Sequence, residues 1–286
     1  MAESKSQPKS ALRSTRPDLA SILGLVVAVG GILGGLVLEG GKISDVTQIT
    51  AAIVVLGGTL GAVMVTSPLS ALIGAAASLK GVFLEESIQS DVALEEIIRY
   101  ATKARKNSIL SLEDDLDKIP DPFLRKALSL AVDGTDLKEL RSMMELELAQ
   151  SEQRAESSAK VFEAAGGYSP TVGIIGAVMG LIQVMKHLEN IDEVGRGIAV
   201  SFVATVYGVA IANLFFLPAA NKIKARIHDD TAVKELMLEG VISIVEGMNP
   251  KLIRLKLEAF VHEKGGKKKA PAGSTAAAPS GAVAAG

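Results

Sequence analysis

The sequence predicts an all-α membrane protein: four transmembrane helices, with a helical cytoplasmic domain between spans two and three. Three observations point there. The 286 residues are 48% hydrophobic yet only 3% aromatic, and 28 of them are glycine, the small-residue bias of helices that approach backbone to backbone in lipid. Charges are segregated along the chain. Between them lie four uncharged runs, Leu19–Leu38 (20 residues), Val46–Leu79 (34), Ala164–Met185 (22) and Gly197–Asn221 (25). Roughly 20 apolar residues cross the hydrocarbon layer.

The first run is too long for the apolar core of a cleaved signal peptide, and no A-x-A site follows it. The second is too long for one crossing and contains Pro68, so its end is expected to leave the membrane as a helix. Six segments result: a polar tail at 1–17, spans one and two at 18–79, a helical domain at 80–163, spans three and four at 164–221, further helices at 222–264, and a low-complexity tail at 265–286 that is expected to be disordered. Within the polar domain, Asp121–Pro122 reads as an N-cap followed by a first-turn proline, and Gly134 as the stop of that helix. A long charged helix over 136–163 is expected to feed directly into span three. Asn249–Pro250 starts another short helix. No strand alternation and no internal repeat stand out.

Lysine and arginine divide unevenly. Four lie in the N-terminal tail, twelve in 80–163 and eleven from Lys222 onward, against Lys42, Lys186 and Arg196 in the two short hairpins. The positive-inside rule then places both termini and the middle domain in the cytoplasm.

A net charge of −2 gives no support to a nucleic-acid partner, which needs a clustered basic face. The absence of cysteine excludes thiolate metal sites, and the three histidines are too scattered to suggest one. No paired carboxylates or nucleophile constellation accompany the spans, so neither an enzyme nor a cofactor is expected. Inverted repeats and broken mid-membrane helices, the marks of a solute carrier, are not visible.

None of the four runs contains Asp, Glu, Lys, Arg or His. Intramembrane ionisable groups are costly and mark ion routes, so this chain alone is not a proton relay. Thr171, Gln183, Ser201, Thr205, Tyr207 and Asn213 remain in spans three and four. Their polar groups can line a cation path, or bond back to their own helices. Gly173, Gly176 and Gly180 form a small-residue face on span three, as Gly57 and Gly61 do on span two. Such faces allow close helix approach, so an oligomer is expected, with packing inside one subunit as the alternative. Pro170 reads as a first-turn proline where span three begins, and Pro218 as the residue that closes span four.

Three stretches resemble the flagellar-motor stator A subunits, the MotA/PomA type, within the wider MotA/TolQ/ExbB group: YSPTVGIIGAVMGL at 168–181, ATVYGVAIANLFFLPAANKI at 204–223 and TKARKNSILSLEDDL at 102–116. The likeness covers roughly residues 18–260, and the last stretch separates the stator branch from the TolQ-like one. It implies a bacterial inner-membrane protein in which five A copies surround two copies of a single-span MotB-like subunit that carries the ion-binding aspartate. Spans three and four would line the path, with Pro170 and Pro218 coupling ion binding to the cytoplasmic part. Arg105 and Glu113 would meet a rotor switch protein of the FliG kind. Sodium-type members have threonine where this chain has Ala177, while Thr205 matches the second hydroxyl of that pair. The implied ion is therefore H+, with Na+ the less favoured. A TolQ/ExbB-like energiser of outer-membrane processes is the alternative, against which four spans and an inward N-terminus both count.

Overall fold

The computed structural model describes residues 13–88 and 90–262. The expected disorder of 265–286, and most of the N-terminal tail, lie outside the described residues. Ten α-helices follow one short strand: α1 Leu19–Leu38, α2 Ile49–Thr66, α3 Leu69–Phe83, α4 Ser90–Asn107, α5 Glu113–Leu116, α6 Pro122–Val132, α7 Leu137–Lys186, α8 Ile191–Ile211, α9 Leu217–Val245 and α10 Pro250–His262. Four helical stretches are long and apolar enough to cross a membrane: Leu19–Leu38, Ile43–Thr66, and parts of Leu137–Lys186 and Ile191–Val245.

Local chemistry accounts for most boundaries. Asp121 Oδ1 accepts from the amides of Phe123 and Leu124, at 2.9 and 3.0 Å, and caps α6, whose first residue is Pro122. Gly134, at φ +76°, takes the left-handed conformation that follows a helix end. Asp136 caps α7, and Asn249 accepts from Lys251 N at the start of α10. Pro68 breaks the long second run between α2 and α3, as its fixed φ and missing N–H require.

Two elements depart from expectation. Pro170 lies inside α7, a continuous helix of 50 residues, and not in its first turn. Pro218 does not end its helix either. A π-helical turn over Ala212–Phe216 precedes it, with Leu217 N donating to Ala212 O, five residues back, and the helix continues to Val245. A π-turn inserts one extra residue and so relieves the clash between a proline ring and the preceding turn. Each irregularity is absorbed because packing on both sides holds the helix together.

A two-stranded antiparallel ribbon, β1 Arg13–Pro17 with β2 Leu84–Ile88, is also present. Five residues without alternating apolar character give a sequence reading nothing to find. Asp18 N donates to Phe83 O at 2.9 Å where the ribbon meets the helices.

Three apolar cores stack along the molecule. The polar domain encloses the largest, with Ile97, Leu124, Leu128, Met144, Met237 and Leu257 all at 0% exposure or nearly so. A neck of small and aromatic residues follows, Ala75, Ala159, Phe162, Phe216 and Ala219 among them. The third joins Ala51 and Val55 of α2 to Val203 and Ala204 of α8. Because α7 and α9 each pass through the neck, the spans and the polar domain are physically one piece. α1 is the exception, for it buries none of its residues.

The glycines of span three pack inside the chain. A Cβ on Gly173 would lie 2.9 Å from Ala204 O, one on Gly180 2.3 Å from Ser201 Oγ, and one on Gly208 2.6 Å from Ser169 O. Gly176 meets Ala204 in the same way. These contacts belong to α7 and α8 of one subunit, so this face gives no support to an oligomer. Gly57 and Gly61 have nothing within 4 Å. Overpacking a close contact costs about 1–3 kcal/mol. Gly208→Val is therefore expected to lower the melting temperature of the purified protein, whereas Gly195→Ala, which enters open space within a helix, leaves it unchanged or raises it.

Candidate functional site

The site expected in spans three and four lies along the α7–α8 contact. A Cβ on Gly173 would sit 3.4 Å from Thr205 Cα, and one on Gly176 2.9 Å from Ala204 Cβ. Ala177 and Thr205 therefore lie at one level on adjoining helices, both partly buried. Pro170 and Pro218 are brought together less directly. The carbonyl of Gly166 is the one that Pro170, lacking an N–H, cannot satisfy. A Cβ on Gly166 would meet Leu217, the neighbour of Pro218, at 2.6 Å. The irregularities of the two helices thus share a level in the bundle.

The polar side chains in these spans mostly bond back to their own helices. Thr171 Oγ1 donates to Tyr168 O at 2.7 Å, Ser201 Oγ to Gly197 O at 2.9 Å, Thr205 Oγ1 to Ser201 O at 3.3 Å, and Asn213 Nδ2 to Val209 O at 2.9 Å. Tyr207 differs. Its hydroxyl donates to Val46 O and accepts from Gln48 N at 3.2 Å, which pins the hairpin joining spans one and two against α8. Gln183 faces a cavity of about 410 Å³ between α2, α7 and α8, whose rim carries His187, Glu193 and Arg196. Two fully buried hydroxyls, Thr59 Oγ1 and Ser169 Oγ, have no hydrogen-bond partner among the described residues.

Arg105 and Glu113 occupy the far end of the polar domain. Arg105 is in the last turn of α4, Glu113 opens α5, and both are exposed. The loop between them includes Ser108 at φ +74°, a conformation that favours glycine. Asp115 locks this connection by accepting from Lys103 at 2.6 Å and Lys118 at 3.2 Å. Its neighbour Asp114 is exposed, while Asp115 is thus engaged. Hydrogen bonds from Lys103 and Lys118 hold its carboxyl below its ordinary 3.8. That contribution is complete above 3.8 and is lost only as pH falls through the lower folded value, so the lock persists at physiological pH.

A cluster that sequence reasoning missed lies where α1 begins. Asp18 is only 7% exposed and is paired with Lys222 at 2.5 Å and Arg226 at 3.0 Å. It also accepts from Ser21 N and so caps α1. The Lys222 hydrogen bond, against the opposing effect of burial, draws its carboxyl down to about 2. A signal was available, since an aspartate directly before an apolar run and two cations four residues apart both invite pairing. Among the described residues, no group of three or more His, Cys, Asp or Glu has a metal-holding arrangement.

These features define a multi-pass helical membrane protein whose third and fourth spans run on as shafts into a polar helical domain. Residues 115–236 match the MotA/TolQ/ExbB proton channel family and residues 22–107 the Motility protein A N-terminal family. Motility protein A of Bacillus subtilis is 34% identical over 86% of this chain and 92% of its own. Chemotaxis protein PomA of Vibrio alginolyticus is 29% identical over 86% and 96%. The solved structure of C. jejuni MotAB superimposes with a TM-score of 0.82 at 31% identity, over 90% of this chain and 99% of that one. The flagellar MotAB stator complex from Bacillus subtilis gives 0.78 at 32%, over 84% and 95%. The chain belongs to the MotA/TolQ/ExbB proton channel family, in its motility protein A branch.

Tyr207 offers a direct test of the hairpin pin. Tyr207→Phe leaves Val46 O and Gln48 N without this partner and is expected to cost about 1 kcal/mol, read as a lower melting temperature of the protein in detergent.

Proposed function

We propose that this chain is the A-type subunit of a bacterial flagellar stator, which passes protons down the membrane potential and turns that flow into torque. One observation carries the reading: a chain of a proton channel family has no Asp, Glu, Lys, Arg or His in any of its four long apolar runs. The group that takes the ion must then come from another polypeptide. The neighbours described as MotAB complexes supply the precedent for a second subunit. In this reading two copies of a MotB-like single-span subunit, carrying the aspartate, are surrounded by five copies of this chain in the inner membrane, with both termini cytoplasmic. A charge crossing the membrane releases about 2.3 kcal/mol per 100 mV.

The remaining roles follow the geometry. α7 and α8 line the path, with Ala177 and Thr205 at one level. Protons are favoured over sodium because Ala177 offers no oxygen ligand, which leaves Thr205 as the one hydroxyl of the pair that sodium-type members have. The level shared by Pro170 and Pro218 is where a change in the path would reach the shafts α7 and α9. At their other end, Arg105 and Glu113 project from a locked connection and present opposite charges to a FliG-like rotor protein, a contact suited to steering and register.

Deleting the gene, in cells without a second stator set, is expected to leave assembled but paralysed flagella, seen by electron microscopy and a swimming assay. Unimpaired swimming with a leaky envelope would move the chain to the TolQ/ExbB kind of role. Charge reversal at both Arg105 and Glu113 should reduce torque in a bead assay without lowering the amount of protein in the membrane. Swimming speed should collapse with a proton uncoupler and ignore external sodium; the opposite pattern would refute proton coupling.

A further inference from the structure

α1 buries no residue, yet the aspartate that caps it is buried and tied to two other segments. Asp18 alone joins three segments. Its amide donates to Phe83 O at the end of α3, its carboxylate caps α1 through Ser21 N, and the same carboxylate receives Lys222 and Arg226 from α9. Arg226 also donates to Leu84 O, which closes the link back to the end of α3. The two cations stand four and eight residues beyond Pro218, on the first turns of the helix that follows the π-turn. Beside that turn lies a cavity of about 490 Å³, lined by Gly24 and Leu25 of α1, Asn213 and Phe215 of the π-turn, Pro218 and Lys222. The π-turn therefore has empty space on one side and an ionic anchor directly below.

We propose that Asp18 is a positioning residue that sets the angle of α9 beneath the π-turn by holding Lys222 and Arg226 against the start of span one. A helix with a π-turn followed by proline lacks part of its ladder and bends there most readily. The cavity leaves room for the bend, and α1 faces it with residues that are at most partly buried. The anchor fixes its resting position, and with it the direction in which α9 enters the polar domain. Its consequence for torque rests on the stator reading above, whereas the anchor itself does not.

Asp18→Asn separates the two tasks of the residue, since asparagine caps helices as well as aspartate does while the charge is lost. In the full chain purified with its B-type subunit, hydrogen exchange over 217–226 is expected to rise several-fold with 19–38 unchanged. In cells, torque per incorporated stator should fall several-fold at unchanged membrane abundance and proton influx. Lys222→Gln should do the same to a smaller degree, and adding it to Asp18→Asn should have little further effect, because the groups act as one unit. Exchange over 217–226 that stays at the wild-type rate in both single variants overturns the proposal. So does a parallel loss of protein, influx and torque in both, which would mark a merely structural role. Raised exchange in cells whose swimming does not depend on this gene would keep the anchor and remove the stator reading.

Discussion

The backbone contact between α7 and α8 is the constraint on which the rest of the structure depends. In lipid, apolar side chains gain nothing by leaving one hydrocarbon surface for another, so helices are held by close packing and by hydrogen bonds. Gly173 and Gly208 provide that closeness, each standing where a single Cβ would strike the other helix's backbone. Once these two helices are fixed, Ala177 and Thr205 share a level, Gly166 meets Leu217, and α2 finds a seat at Ala51 and Val55. Larger residues at these glycines would part the helices and take the candidate path apart with them.

Continuity is the second organising feature. α7 keeps its helix through Pro170, and the π-turn keeps span four joined to α9 through Pro218. A kink at either proline without continuation would have left the polar domain on flexible tethers. Instead the neck core, built from Ala75, Ala159, Phe162, Phe216 and Ala219, clamps both shafts where they leave the spans. The domain core then closes around their far ends, with Met144 of α7 and Met237 of α9 both fully buried. Displacement of one shaft at the proline level is therefore transmitted as a rigid movement. In the proposed stator role, that is the property a coupling element needs.

Charge is used sparingly and only outside the hydrocarbon. At the start of α1 one buried aspartate faces two cations, and at the far end of the domain Asp115 faces two lysines. The spans themselves contain only hydroxyls, amides and the two phenols of Tyr168 and Tyr207, and Thr171, Ser201, Thr205 and Asn213 bond to their own helices. A partner's carboxylate would then enter surroundings with no competing charge.

Much of this was determined by the sequence alone. Four uncharged runs, the break at Pro68, the cap at Asp121 and the stop at Gly134 follow from local rules, because hydropathy, proline geometry and capping act within a few residues. The exposed positions of Arg105 and Glu113 on a helix end and a loop could also be read. Tertiary structure alone decided that Gly173, Gly176 and Gly180 meet the chain's own α8, since a small-residue face fits any close partner and does not name one. It decided that both prolines lie inside continuous helices, because whether packing bridges a missing N–H depends on neighbours more than forty residues away. It also brought Asp18 to Lys222 and Arg226, a pairing across some two hundred residues that no periodicity can encode.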